Sequence, residues 1–216
     1  MQQLTTDLLL RAYACGVFPM AESHDSDALY WLDPEERGIL PLDDFHIPKR
    51  LQRFIRQNPF EIRINTAFED VMSACAGLNE QRPETWINGT IRSLYTRLFE
   101  MGHAHSVECW LEDRLIGGLY GVQLGATFFG ESMFHKKNNA SKVALAHLVA
   151  RLKTGEFQLL DTQFVTDHLK QFGAVEIPKE DYQDLLSNAL KQPADFHRFP
   201  LSSTGSDVLQ AITQTS

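Results

Sequence analysis

No run of apolar residues in this chain approaches the roughly 20 needed to cross a bilayer. Its first residues, MQQLTTDLLLRAYACG, put Asp7 and Arg11 where a secretory signal would carry a basic start and an uninterrupted apolar core. A cytoplasmic protein is expected. Cysteine is scarce: Cys15, Cys75 and Cys109 are odd in number, far apart and without C-x-x-C spacing, so neither a disulfide framework nor a zinc site is indicated. Positive charge is short too, and a formal charge of −8 argues against a general polyanion binder, whose affinity rests on neutralised phosphates. Repeats and low-complexity tracts are absent. What remains, 43% hydrophobic and 22% charged over 216 residues, is the make-up of a folded protein of one domain or two small ones.

The distribution of charge is more informative than its sum. Residues 1–87 hold 8 Lys and Arg against 14 Asp and Glu, yet HIPKRLQRFIRQNPFEIR gathers Lys49, Arg50, Arg53, Arg56 and Arg63 against Glu61 alone. With Pro48 opening a helix, Lys49, Arg53 and Arg56 share a face while Leu51, Phe54 and Ile55 turn inward. Such a face is either simply solvated or tracks phosphates.

Periodicity predicts a helix over Thr6–Cys15, an irregular Pro- and Asp-rich stretch to Asp44, the basic helix, a short strand FEIRI and a helix from Phe68 to Ala76. NEQRPE then interrupts the pattern and suggests a domain boundary near residue 82. The expected division is a small N-terminal α+β domain over 1–82, a second domain over 83–201 and a flexible tail over 202–216. In the second domain a helix ending at Gly102 precedes three strand-like runs, AHSVECWL, LIGGLYGV and ATFFGESM. A helix from Ala140 to Lys153, capped by Asn139, leads to the buried strand FQLLDTQ. A short helix, the strand AVEI and a helix from Lys179 to Leu190 follow.

A helical crossover implies parallel pairing, so ATFFGESM and FQLLDTQ should lie side by side with their carboxyl ends at one edge. Open α/β sheets bind ligands at that edge. Glu131 lies near the end of one strand, with Asp161 and Gln163 near the end of the other. The three polar groups are expected to converge on one cleft beside Phe128, Phe129 and Met133.

LLLRAYACGVFPMAE, YWLDPEERGILPLDDFHI, ETWI, HAHSVECW, LIGGLYGVQLGATFFGESMF, NASKVAL and LLDTQFVTDHLKQFGAVEIP closely resemble the bacterial leucyl/phenylalanyl-tRNA-protein transferases, over about Leu8 to Leu190. The resemblance implies a C-terminal mixed-sheet domain like that of the GNAT acyltransferases. It also implies transfer of leucine or phenylalanine, and less readily methionine, from aminoacyl-tRNA to proteins beginning with Arg or Lys, marking them for N-end rule degradation. No cofactor, metal or membrane is implied, and a monomer is expected.

Carried over residue by residue, the resemblance makes Glu131 and Asp161 the holders of the cationic acceptor residue, and Gln163 the group that orients the attacking amine. Leu119, Phe128, Met133 and Leu148 would line the donor side-chain pocket. Trp31 and Trp86 would flank the terminal adenosine, where stacking is worth about 1–3 kcal/mol per base. Lys49, Arg50, Arg53, Arg56 and Arg63, with Lys136 and Lys137, would guide the acceptor stem.

Two other readings stand beside this one. A CoA-dependent N-acetyltransferase needs a glycine-rich loop to cradle pyrophosphate, and Ser132–Ser141 contains no glycine. A non-enzymatic tRNA- or peptide-binding module would engage both ligands without forming a bond. GESMF departs from the G-x-S-x-G nucleophile elbow at Phe134. His103 and His105, with His135 or His168, lack the carboxylate or cysteine spacing of a metal site.

Overall fold

The computed structural model describes residues 4–26, 28–77 and 85–214. In chain order the helices are α1 Thr6–Ala14, α2 Lys49–Arg56, α3 Phe68–Ala76, α4 Gly89–Glu100, α5 Ala140–Thr154, α6 Asp167–Lys170, α7 Lys179–Ala189 and α8 Gly205–Thr213. The strands are β1 Phe18–Ala21, β2 Leu29–Leu32, β3 Glu36–Ile39, β4 Glu61–Ile64, β5 Ala104–Leu111, β6 Arg114–Leu124, β7 Thr127–His135, β8 Leu159–Gln163 and β9 Val175–Pro178. Seven strands form one mixed sheet in the order β4-β5-β6-β7-β8-β3-β9, and β1 and β2 make a separate antiparallel ribbon. Every neighbouring pair in the large sheet is antiparallel except β7–β8, which the α5 crossover makes parallel. The parallel β7–β8 pair is the one expected from the sequence, and the fold is a mixed α/β one.

Two apolar clusters flank the sheet, and successive side chains of β7 divide between them, Phe128 to one and Phe129 to the other. α5 is buried on nearly every side from Ala140 to Leu152, which is why its apolar residues go all the way round. Asn139 precedes it in a left-handed conformation, φ 67°, and makes no side-chain cap, unlike the N-cap expected there. Asn88 does cap α4, its Oδ1 accepting from the Ile91 N–H at 2.8 Å.

Two further expectations change. The stretch to Asp44 is not irregular: it supplies β1, β2 and β3, and β3 inserts between β8 and β9. The expected loose tail instead carries α8, whose Val208, Leu209 and Ile212 enter the same cluster as α5. A reciprocal cap fixes its start: the Thr204 N–H donates to Asp207 Oδ2 at 2.7 Å and the Asp207 N–H to Thr204 Oγ1 at 3.3 Å. Gly205 is obligatory there, because a Cβ would stand 2.0 Å from the Ile55 carbonyl oxygen of α2. The boundary expected near residue 82 lies outside the described residues. Strands from either side of it, β3 and β4 before and β5–β9 after, share one sheet.

Candidate active site

The carboxyl ends of β7 and β8 are shaped by two β-bulges. On β7, Gly130 pairs with Gly121 and Ser132 with Tyr120, so Glu131 is the extra residue in the ladder. On β8, Asp161 pairs with Ile39 and Gln163 with Gly38, which leaves Thr162 unpaired. A bulge kinks its strand and re-aims the side chain it carries. Glu131 and Gln163 are thereby brought to the wall of one cavity of about 340 Å³, within the usual range of about 300–1,000 Å³ for a small-molecule site.

The cavity is mostly apolar. Leu119 of β6, Met133 of β7, Leu145 and Leu148 of α5, Leu160 of β8 and Leu169 of α6 line it. Aromatic walls come from Phe18, Trp86 and Phe164, the last 47% exposed. Polar lining comes from Glu131, Ser132, Thr162, Gln163, Thr166 and His168. Burial, then the charges of Lys142 and His135, lower the His168 pKa, so its ring is neutral at pH 7.

Gln163 is held in an unusual backbone position, φ 58°. Its N–H donates to Asp161 Oδ1 at 2.8 Å, and its amide nitrogen, in the orientation that satisfies both ends, donates to the Gly130 carbonyl at 2.9 Å. The amide oxygen is left as an acceptor. Gly38 lets β3 come close behind this turn, since a Cβ there would lie 2.7 Å from the Phe164 carbonyl carbon.

Asp161 is wholly buried and does not line the cavity. Its oxygens accept from Arg37 Nε at 3.0 Å and Nη2 at 2.6 Å, from Tyr182 Oη at 2.7 Å and from the Gln163 N–H. Arg37, 1% exposed, also donates to the Gly16 carbonyl at 2.7 Å and lies between the rings of Phe18 and Tyr182, 4.6 and 4.5 Å from their centroids. Sequence reasoning missed Arg37 because nothing in a short, charged ERGI run marks an interior strand.

Glu131 is half-buried. Tyr13 Oη of α1 donates to its Oε1 at 2.6 Å and Tyr95 Oη of α4 to its Oε2 at 3.2 Å, while the two hydroxyls also bond each other. Burial pushes its pKa up to about 7. The tyrosine hydrogen bonds and Arg37 pull the other way, and Asp161 adds to the rise.

The remaining sequence-derived residues divide. Leu119, Met133, Leu148 and Trp86 line the cavity. Phe128 does not: it is fully buried behind the sheet and stacks on Phe196 at 5.6 Å. Trp31, 40% exposed on β2, lies opposite Pro19 of β1, and Pro19 is itself a lining residue. Lys49, Arg50, Arg53 and Arg56 are exposed on α2, and none pairs with an acid among the described residues. Arg63 is different, held by Glu61 at 2.6 Å and Asp113 at 2.9 Å and lying over Trp110. Lys136 and Lys137 are exposed. His105 is buried against Phe196, a packing position. Among the described residues no group of three His, Cys, Asp or Glu side chains is placed to hold a metal ion.

A mixed sheet with one parallel pair carries an apolar compartment beside a carboxylate and an amide at its bulged edge, an arrangement suited to a group-transfer enzyme. The models of two family domains match the chain: leucyl/phenylalanyl-tRNA protein transferase over residues 39–187 and its N-terminal domain over residues 2–35. A leucyl/phenylalanyl-tRNA--protein transferase of Paramagnetospirillum magneticum is 62% identical over 198 residues, covering 92% of this chain and 95% of the relative. Those of Caulobacter vibrioides and Nitrobacter winogradskyi are each 55% identical, over 98% and 99% of this chain and 98% and 96% of their own. The chain belongs to the leucyl/phenylalanyl-tRNA protein transferase family, and it is an aminoacyltransferase.

Proposed function

We propose that the protein moves leucine or phenylalanine, and less readily methionine, from aminoacyl-tRNA to the α-amine of proteins beginning with Arg or Lys. The product would enter N-end rule degradation in the cytoplasm. The observation that carries this reading is the continuity of the apolar cavity with Glu131 and Gln163. A Leu, Phe or Met side chain suits the wall made by Leu119, Met133, Leu145 and Leu148, and the reacting ester then lies beside the two polar groups. The cationic acceptor residue is drawn to Glu131, and the Gln163 amide oxygen accepts a hydrogen bond from the α-amine.

Asp161, with its oxygens filled by Arg37, Tyr182 and the Gln163 N–H, is a positioning residue. It fixes the turn from which Gln163 points. Aminolysis of an ester is downhill and needs no external energy source, and holding amine and ester together lowers its barrier. Well-oriented reactants gain roughly 7–11 kcal/mol of barrier. Trp86, at the cavity wall, and Trp31, on the neighbouring ribbon, serve the terminal adenosine, and Lys49, Arg50, Arg53 and Arg56 follow the acceptor-stem phosphates.

The test mixes purified protein with labelled Leu-tRNA and two model proteins that differ only in N-terminal Arg or Ala, with and without ribonuclease pretreatment. Label on the Arg protein alone, abolished by ribonuclease, is expected. Binding of both ligands without label transfer would make the protein a binding module, and transfer from acetyl-CoA instead would make it an acetyltransferase.

A further inference from the structure

Two fully buried phenols aim their hydroxyls at one carboxylate. Tyr13 comes from α1, Tyr95 from α4 and Glu131 from the β7 bulge, so three separate elements build the cluster. Phenylalanine would fill the same space without burying a hydroxyl, so packing alone does not account for the pair. Three contacts share two phenol protons: Tyr13 donates to Oε1, and Tyr95 donates either to Tyr13 Oη or to Oε2. The carboxylate is thus held from the core side.

The acceptor's α-amine, pKa about 8, arrives largely as an ammonium and must lose a proton before its nitrogen can attack. Gln163 cannot take that proton, since an amide oxygen is far too weakly basic. Asp161 is behind the wall with its oxygens occupied. We propose that Glu131 is the proton acceptor for the incoming α-ammonium, and that Tyr13 and Tyr95 are positioning residues that hold its carboxylate for that task. This rests on the reading of the cleft given above.

The step balances. The ammonium gives one proton to the Glu131 carboxylate, the neutral nitrogen attacks the ester carbonyl, the C–N bond forms and the ester C–O bond breaks. A second proton from the attacking nitrogen leaves with the 3′-oxygen of the tRNA. Glu131 returns its proton to solvent, so the turnover releases one proton in all. Besides the two phenols, the groups facing Glu131 are Asp161 and Arg37 from β8 and β3, with Gln163 and His168 on the same wall. A carboxyl group titrating near neutrality both takes and releases a proton readily under working conditions.

The test is the single-turnover rate at saturating Leu-tRNA and Arg-starting peptide, from about pH 5.5 to 9, for wild type, Tyr13→Phe, Tyr95→Phe and Glu131→Gln. Peptide affinity is measured separately by calorimetry. The peptide's own ionisation is common to every variant. Removing a phenol that stabilises the carboxylate is expected to move the acid limb upward by about 0.5–1 pH unit. Glu131→Gln is expected to lose that limb and about 10²–10⁴-fold of the rate. Lower rates with the limb unmoved in both Tyr→Phe variants would make the phenols merely structural and overturn the proposal. A Glu131→Gln enzyme that keeps the wild-type limb and loses only peptide affinity would do the same, reducing Glu131 to recognition. Should Glu131→Gln fail to fold, the two Tyr→Phe limbs decide. Wild type that transfers no label at all defeats the underlying functional reading instead.

Discussion

Arg37 and Asp161, 124 positions apart in the chain, form a three-contact ion pair in which neither side chain is more than 1% exposed. The pair joins β3 to β8 and, through the Gln163 N–H, sets the turn at the cavity wall. An ion pair this dry needs further hydrogen-bond partners, and Tyr182 and the Gln163 N–H supply them to Asp161 while the Gly16 carbonyl supplies one to Arg37.

Removing one partner leaves the other charge buried. Arg37→Leu is expected to cost about 3–5 kcal/mol. At roughly 2–4 °C per kcal/mol for a chain of this size, calorimetry should show Tm falling by about 6–20 °C. Arg37→Leu combined with Asp161→Leu should recover much of that loss in stability while leaving Gln163 unanchored and transfer slow. A single variant that melts with wild type would refute the coupling.

Cavity shape should govern the choice of donor. Met133→Phe narrows the cavity and should lower kcat/KM for Phe-tRNA more than for Leu-tRNA, changing the ratio about tenfold, since a methylene or two in such a pocket is worth about 1–3 kcal/mol. Phe128→Leu is the contrasting case. It lies outside the cavity, so it should lower stability and leave the ratio alone.

Salt dependence separates the two kinds of basic residue. Changing Lys49, Arg50, Arg53 and Arg56 together to Gln should flatten the plot of log affinity for tRNA against log salt by about 3, at roughly 0.7–0.9 per phosphate contact. Arg63→Gln should barely alter it, because Glu61 and Asp113 already neutralise Arg63. An equal effect of both changes would contradict the assignment.

Stability should have a maximum between two opposed titrations. Burial lowers the pKa of His105 and of His147 to about 4, against an ordinary 6.5. Their folded pKa values are depressed, so their contribution is complete above about pH 6.5 and is lost as pH falls towards 4, on the order of 2–3 kcal/mol each. Glu131 has the opposite sign. Its raised pKa of about 7 gives a contribution complete below about pH 4.5 and lost as pH rises through 7. Urea midpoints should therefore fall on both sides, with His147→Gln flattening the acid side and Glu131→Gln the alkaline side. Unchanged slopes in those variants would contradict the assignments.

Much of this molecule is legible in its sequence. The order α4, β5, β6, β7, α5, β8 follows from switches between periods of 3.6 and 2, and the parallel β7–β8 edge follows from the crossover alone. Glu131 and Gln163 fall together at that edge, while Asp161 lies behind the wall and, contrary to expectation, does not enter the cleft. Their roles were not equally legible, because the bulges at Glu131 and Thr162 are set by the register of neighbouring strands and leave no local pattern. Arg37 reads as a surface charge until its partner, 124 residues on, is known. Tyr13 and Tyr95 read as core positions of amphipathic helices, since periodicity reports burial and not the direction of a hydroxyl. α8 was missed although Thr204-x-x-Asp207 ahead of Val208, Leu209 and Ile212 is a helix-start signature, diluted by the polar residues on either side.

The most direct test is the structure of the protein bound to a non-hydrolysable phenylalanyl-adenosine amide. The account predicts the phenyl ring among Leu119, Met133, Leu145 and Leu148, the adenine against Trp86 or Trp31, and the acyl carbon within about 3–3.5 Å of where an amine bonded to Gln163 would sit. A phenyl ring bound elsewhere, such as in the groove between α2 and α8 beside Arg56 and Gln210, would contradict it.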